Sequence, residues 1–275
     1  RPDEEDDEER LSLGNACALN RGTLTQGMAA SIIEEYQRRR ELNEGTHFAE
    51  WFSMDPPFPE GSQAAGGLKP GVYVNGGIMP LVGGELALGA FRHGFERYGV
   101  DILRRYHSIV AKANATYLWY HPDGRPPRQE AASPADGWGA AAMLCAFMEG
   151  LCGVVDELSL YQRVTLSPRW AAAGIERALV CAKYGASDAY FACDYTHEGE
   201  RIVLELSGSG ETVVVHLLLP QGFTPVRVEA NGSGVPFQVV EVGPSRYVDI
   251  TIGAGGRRVV IVGGGGVESG GAAQG

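Results

Sequence analysis

Apolar residues recur at helical spacing through roughly the first 155 positions, and beyond about residue 159 they alternate. Leu24, Met28, Ile32 and Tyr36 return every fourth residue with Ile33 beside them, the stripe of a one-sided helix. Thr23-Leu-Thr-Gln26 reads as a capping box that opens this helix. Arg38, Arg39 and Arg40 suit its negative end, and Gly45 suits its stop. A second one-sided helix is predicted from Phe95 to Lys112, carrying Tyr98, Ile102, Tyr106 and Ile109. Two further segments, Ile78 to His93 and Ala135 to Val154, are apolar nearly all round and so must be buried on most sides. The order amphipathic, buried, amphipathic, buried predicts helical hairpins in an outer and an inner layer.

Period two then takes over. "RIVLELSG" (201–208), "ETVVVHLLLP" (211–220), "TPVRVEANG" (224–232), "PFQVVEV" (236–242), "RYVDITIG" (246–253) and "RRVVIV" (257–262) read as short strands parted by Gly, Pro or Asn-Gly turns. The expected fold is multidomain, α then β: helical hairpins at 1–157, an antiparallel β-sandwich at 158–262, and a disordered Gly-rich tail at 263–275.

Composition narrows the function. A formal charge of −11 disfavours nucleic acid or an anionic membrane as a partner. Part of that charge is one acidic run, "DEEDDEE" at 3–9, which reads as a solvated segment. No apolar run is long enough to span a bilayer and no signal-peptide pattern opens the chain, so a soluble, cytoplasmic protein is favoured over a secreted one. The chain begins at Arg1 and is expected to be a fragment. Five cysteines without CxxC spacing argue against a disulfide framework or a structural zinc, and read as small buried hydrophobes.

Candidate chemistry lies on two long connections, about 43–77 and 113–134, because loops of that length in a compact domain are often functional. They and their flanks place Trp51, Trp119, Tyr120 and Trp138 beside Glu50, Asp55, Asp123, Glu130 and Asp136. Flat rings stack on the C–H faces of a pyranose, while amides and carboxylates hold its hydroxyls. Glu50, Trp51, Asn75, Trp119, Tyr120, Asp136 and Trp138 are therefore candidate carbohydrate-binding residues. Taken singly, each Trp reads first as packing and each Glu as solvated; their co-occurrence raises the functional reading. His47, His93, His107 and His121 lack metal-ligand spacing, so no metal is expected. No P-loop, GxSxG or dinucleotide fingerprint is present, and no cofactor is expected.

Here the residues resemble a known family. "GVYVNGGIMPLVGGELALGAFRHGFERYGVDILRRY" is similar to a late hairpin of the six-hairpin, (α/α)6-barrel glycosidases, where an Asn-Gly-Gly corner enters an inner helix. "DGWGAAAMLCAFMEGLCGVVDELSLYQRVTLSPRW" resembles their last inner helix and the strand that leads into a C-terminal β-domain. The resemblance covers about 20–262. It implies a funnel lined by the loops that enter the inner helices, and hydrolysis with inversion by a general acid and a general base. In relatives the base is a Glu in the loop before the last inner helix, but here Leu118 and Trp119 stand just before Tyr120-His-Pro-Asp-Gly124. Glu130 is then the first substitute and Asp123 the second. The acid in relatives comes from an earlier hairpin, so the N-terminal remainder of the same polypeptide is an expected partner. Two alternatives remain open: a glycoside phosphorylase, with Lys69, Arg125 and Arg128 toward phosphate, and a non-catalytic carbohydrate-binding protein.

Overall fold

The computed structural model describes residues 9–128, 133–253 and 257–264. They form two compact units, Arg1–Leu151 with Val242–Pro244, and Cys152–Glu241 with Ser245–Gly275. The boundary comes earlier than residue 157 because Val154–Leu158 is already strand.

The first unit opens with β1 (Leu11–Ser12) and the short helix α1 (Leu13–Ala18), followed by α2 (Gln26–Leu42). Its cap is Thr25, whose hydroxyl accepts from the Met28 N–H at 3.3 Å, so the helix begins after the expected Thr23 box. Ala29, Ile33 and Tyr36 form its buried face, whereas Met28 is 53% exposed. After β2 (Met54–Asp55), which pairs with β1, come α3 (Pro80–Arg92) and α4 (Glu96–Ala113). Pro80 stands in the first turn of α3, where its missing N–H costs no hydrogen bond.

α3 is the centre of this unit: it packs on α1, α4 and α5 (Trp138–Cys145). Its glycines explain the close approach. A Cβ on Gly84 would lie 2.5 Å from the Ala142 carbonyl carbon, and one on Gly89 would lie 2.6 Å from Leu19 Cβ. A Cβ on Gly83 would lie 2.5 Å from Met143 Cε and 2.7 Å from the Trp51 ring. Each glycine costs the helix ~1 kcal/mol in propensity. Burial of Leu81, Val82, Leu86, Leu88 and Phe91 outweighs that, at roughly 1.5–3 kcal/mol per side chain.

α5 departs from the expected continuous buried helix. It passes into a π-helical turn at Ala146–Leu151, where Gly150 packs on Phe91. One side lies on α3, but Trp138 is 58% and Leu144 60% exposed.

The second unit holds β3 (Val154–Leu158), β4 (Arg163–Leu166), the short α6 (Trp170–Ala173), β5 (Arg177–Lys183), β6 (Tyr190–Glu198), β7 (Arg201–Gly208) and β8 (Thr212–Leu218). β9 (Pro225–Ala230), β10 (Ser233–Gly234), β11 (Gln238–Val242), β12 (Ser245–Ile252) and β13 (Arg257–Gly263) complete it. The strands form a six-stranded sheet, β10-β9-β13-β7-β6-β5, and a five-stranded sheet, β11-β12-β8-β4-β3. Val164 and Val213 of one sheet and Phe191 and Leu206 of the other line a single small cavity, so the apolar faces meet. β4 and β8 pair in parallel because β5–β7 cross to the other sheet between them, whereas β3–β4, β12–β8 and the neighbours from β5 to β7, β13, β9 and β10 pair antiparallel. Strands β5 and β6 leave no clean alternation in the sequence. On β5 the outward Leu179 and Cys181 are exposed and as apolar as their inward neighbours. The cysteines are free; Cys152 and Cys193 are buried, but Cys181 is exposed and Cys17 and Cys145 are half-buried, which corrects the expectation of five buried thiols.

Candidate functional site

The two long loops of the helical unit are stitched to each other. Met79 N–H donates to the Trp51 carbonyl at 3.0 Å and Ser53 N–H to the Gly77 carbonyl at 2.8 Å. Ile78 and Tyr120 exchange both backbone bonds, at 2.9 and 2.8 Å. Three extended segments, around Trp51, Ile78 and Tyr120, thus lie side by side ahead of α3. The second loop closes on itself where Asp136 N–H donates to the Thr116 carbonyl at 2.9 Å.

This pairing brings most of the candidate residues into one region but commits several to structure. Asn75 is fully buried: its oxygen accepts from Phe58 N–H at 2.8 Å, and its amide hydrogens go to the carbonyls of Phe58 (3.0 Å) and Leu68 (2.8 Å). The amide does not stand at a rim; it folds loop 58–75 around itself. Gly76 turns the corner at φ 89°, and a Cβ there would meet Pro57 at 2.9 Å, so only glycine fits.

Glu50 is likewise internal, 1% exposed. Arg105 donates to its two oxygens at 2.8 and 2.9 Å, and Tyr98 Oη donates to Oε1 at 2.5 Å. Burial, then the charge and hydrogen bond of Glu50, push the Tyr98 hydroxyl well above its ordinary pKa. Trp51 is fully buried between α3 and Met143, and its Nε1 has no hydrogen-bond partner among the described residues. Trp119 is buried with its ring edge-on to His121 at 4.9 Å, and Tyr120 is buried with its hydroxyl accepting from Tyr117 N–H at 3.2 Å.

Asp136 and Trp138 lie at the start of α5. The Asp136 carboxylate accepts from Gly139 N–H at 2.8 Å and Trp138 N–H at 3.3 Å, which satisfies two first-turn donors of that helix. Trp138 is the one candidate ring that presents a large open surface. Nearby, burial followed by the charges of Tyr120 and Asp136 raises the Tyr106 hydroxyl, which is also buried without a partner among the described residues.

Asp123 is exposed and held by Arg125, whose backbone N–H and Nε donate at 3.0 and 2.5 Å. What burial it has raises its pKa, but these two donors outweigh that and hold it below the ordinary value. Glu130 lies outside the described residues. Lys69 pairs with Glu60 at 3.1 Å. Among the described residues no group of three or more His, Cys, Asp or Glu could hold a metal ion. Among the described residues no helix is long and apolar enough to cross a membrane.

The open space beside the stitched segments is a groove of about 280 Å³ between the loops, lined by His47, Phe52, Met54, Asp55, Pro57 and Pro122 among others. His47 stands edge-on to Phe52 at 5.5 Å, and the Asp55 carboxylate accepts from Arg39 at 3.0 Å. The groove has an apolar floor and one carboxylate, in a volume near the lower end for a small-molecule site. Its use of Phe52 and Pro122 could not be read from the sequence. They meet only through pairing between distant loops, which leaves no local periodicity.

No family model matches the chain, and no curated protein matches it in sequence. In fold, it is similar to the solved structure of the α-L-rhamnosidase from Dictyoglumus thermophilum, with a TM-score of 0.51 and 11% identity over 66% of this chain. The matched part is 20% of that enzyme's chain, so this chain spans only a small share of its length. A weaker likeness, with a TM-score of 0.33 and 12% identity, covers 71% of this chain and 33% of a GH127 β-L-arabinofuranosidase from Geobacillus stearothermophilus T6.

Proposed function

We propose that this chain is the C-terminal part of a glycoside hydrolase whose helical hairpins belong to an (α/α)6 barrel. It acts on O-glycosidic bonds of oligosaccharides by inversion. The observation that supports this most is the fold shared with the α-L-rhamnosidase, coupled to a groove between the loops ahead of α3 that is lined by His47, Phe52 and the Asp55 carboxylate.

In this reading Trp138 is the ring on which a sugar face stacks. Asp136 orients the first turn of α5 beneath it, while Trp51, Trp119 and Tyr120 are buried and hold the paired loops together. Glu50 and Asn75 hold the loops in place rather than contact the sugar. Glu130 is assigned as general base ahead of Asp123, because a carboxylate held low by Arg125 is a poor proton acceptor. The general acid comes from another part of the polypeptide.

The test is hydrolysis of neutral aryl glycosides, α-L-rhamnosides included, by the polypeptide at its native length. Glu130→Gln should lower kcat by at least about a hundredfold, the scale of general acid–base catalysis. Unchanged turnover removes Glu130 from the base role. Release that requires added phosphate replaces hydrolysis with phosphorolysis, and sugar binding without turnover leaves a binding protein.

A further inference from the structure

Strand β13 opens with two arginines, and the alternation of a strand sends them to opposite faces of the six-stranded sheet. Arg258 is exposed and pairs with Glu205, its neighbour on β7, at 2.6 Å. Arg257 is in phase with Val259 and Ile261, both fully buried, and stands opposite Leu206 of β7. A guanidinium therefore occupies an inward position that the rest of the strand fills with apolar side chains. Arg257 is 9% exposed, and its Nε is shut off from solvent without a hydrogen-bond partner among the described residues. No described carboxylate pairs with it. The other buried charges all have partners: Arg105 and Tyr98 hold Glu50, the Ser167 carbonyl and the Tyr247 hydroxyl accept from Arg169, and Glu96 has a partner as well.

Burial pulls the Arg257 pKa below its ordinary value, but an arginine does not give up its proton inside a protein. A buried charge without a counter-ion is costly, and hydration by one water leaves the charge uncancelled. The same guanidinium lines a cavity of about 20 Å³ between the two sheets, shared with Val213, Ser207 and Thr212 among others. That volume takes one species of about the size of a water molecule. Ser207 and Thr212 carry hydroxyls, which can donate to an anion. We propose that Arg257 and this cavity form a binding site for one small monovalent anion, of the size of chloride, inside the β-sandwich. Sulfate and phosphate, each with four oxygens, are too large for it. The site lies wholly within the second unit, and the inference does not rest on glycosidase activity.

Chlorine-35 NMR of the chain in sodium chloride, with sodium gluconate holding the ionic strength constant, tests it. The folded chain should broaden the chloride line saturably, bromide should reverse the broadening, and sulfate should not. The urea-unfolded chain should lose it. Exchanging gluconate for chloride should also raise the melting temperature, in step with the logarithm of chloride concentration once the site is filled. Arg257→Met keeps the apolar stem and removes the charge; it should abolish both the saturable broadening and the rise in melting temperature. Val213→Ile keeps the charge and adds a methyl group to the cavity lining, and it should weaken chloride several-fold. It serves as the deciding variant if Arg257→Met does not fold. Broadening no greater than that of the unfolded chain overturns the proposal and leaves the guanidinium hydrated. Broadening that survives in folded Arg257→Met, unchanged affinity in Val213→Ile, or displacement by sulfate as effective as by bromide each place the halide elsewhere and overturn it as well. No readout depends on turnover, so failure of the hydrolase reading and failure of this one are separable.

Discussion

Arg105 grips Glu50 with both arms of its guanidinium, at 2.8 and 2.9 Å, at a position where Glu50 is 1% exposed. Burial lowers the affinity of Arg105 for its proton, but hydrogen bonds and charge from Glu50 and Asp101 more than restore it. Arg105→Met leaves that carboxylate buried without its counter-ion. Urea unfolding of the chain should show a loss of about 3–5 kcal/mol. Pairing it with Glu50→Gln should recover part of the loss, because the stranded charge is then gone.

Alkaline pH should unfold the helical unit early. Burial raises the hydroxyls of Tyr36 and Tyr98 above the ordinary value of 10.0. Both groups bind protons more tightly folded than unfolded, so their contribution is intact below about pH 10 and falls as pH rises above it. The expected slope is about 1.4 kcal/mol per pH unit for each tyrosine. Melts followed by circular dichroism across that range check it, and Tyr98→Phe should remove one of the two contributions.

Two glycine substitutions should move stability in opposite directions. In α3 a methyl group on Gly84 meets the Ala142 backbone at 2.5 Å, so Gly84→Ala should cost about 1–3 kcal/mol. In α2 a methyl on Gly27 meets nothing within 4 Å, and Gly27→Ala should stabilise by up to ~1 kcal/mol. Chemical denaturation of the two variants side by side decides the matter.

Asn75→Asp keeps the shape of the side chain and removes both donors. The carbonyls of Phe58 and Leu68 then lose their partner in a buried loop, at about 1–3 kcal/mol each. The loop should open before the rest of the unit unfolds. Faster amide exchange across 58–77 relative to α3 is the expected signature.

Elements with one clean period were legible in the sequence. The α4 boundaries, the bulk of α3, and strands β7, β8, β12 and β13 follow directly from spacing. The signal failed where a residue's outward side is also apolar, as with Leu179 on β5 and Leu144 on α5, because alternation and amphipathicity both need a polar face to register. The candidate loops were legible as loops, but the commitments of their polar residues were not. Glu50 read as a sugar-facing carboxylate because Arg105, its counter-ion, stands 55 positions away on α4. Asn75 read as a rim amide because its partners are backbone groups, which leave no trace in side-chain identity.

Ile78 is bonded on one side to Tyr120, and its neighbours Gly77 and Met79 are bonded on the other to Ser53 and Trp51. The paired segments beside the groove are therefore a single plate, and neither loop can lift without tearing the other. The walls of the groove are set by different residues, such as His47, Pro57 and Pro122. Evolution can recut those walls for a new occupant and leave the plate alone. Variation among related chains should concentrate at the walls, while Trp51, Ile78 and Tyr120 drift together or not at all.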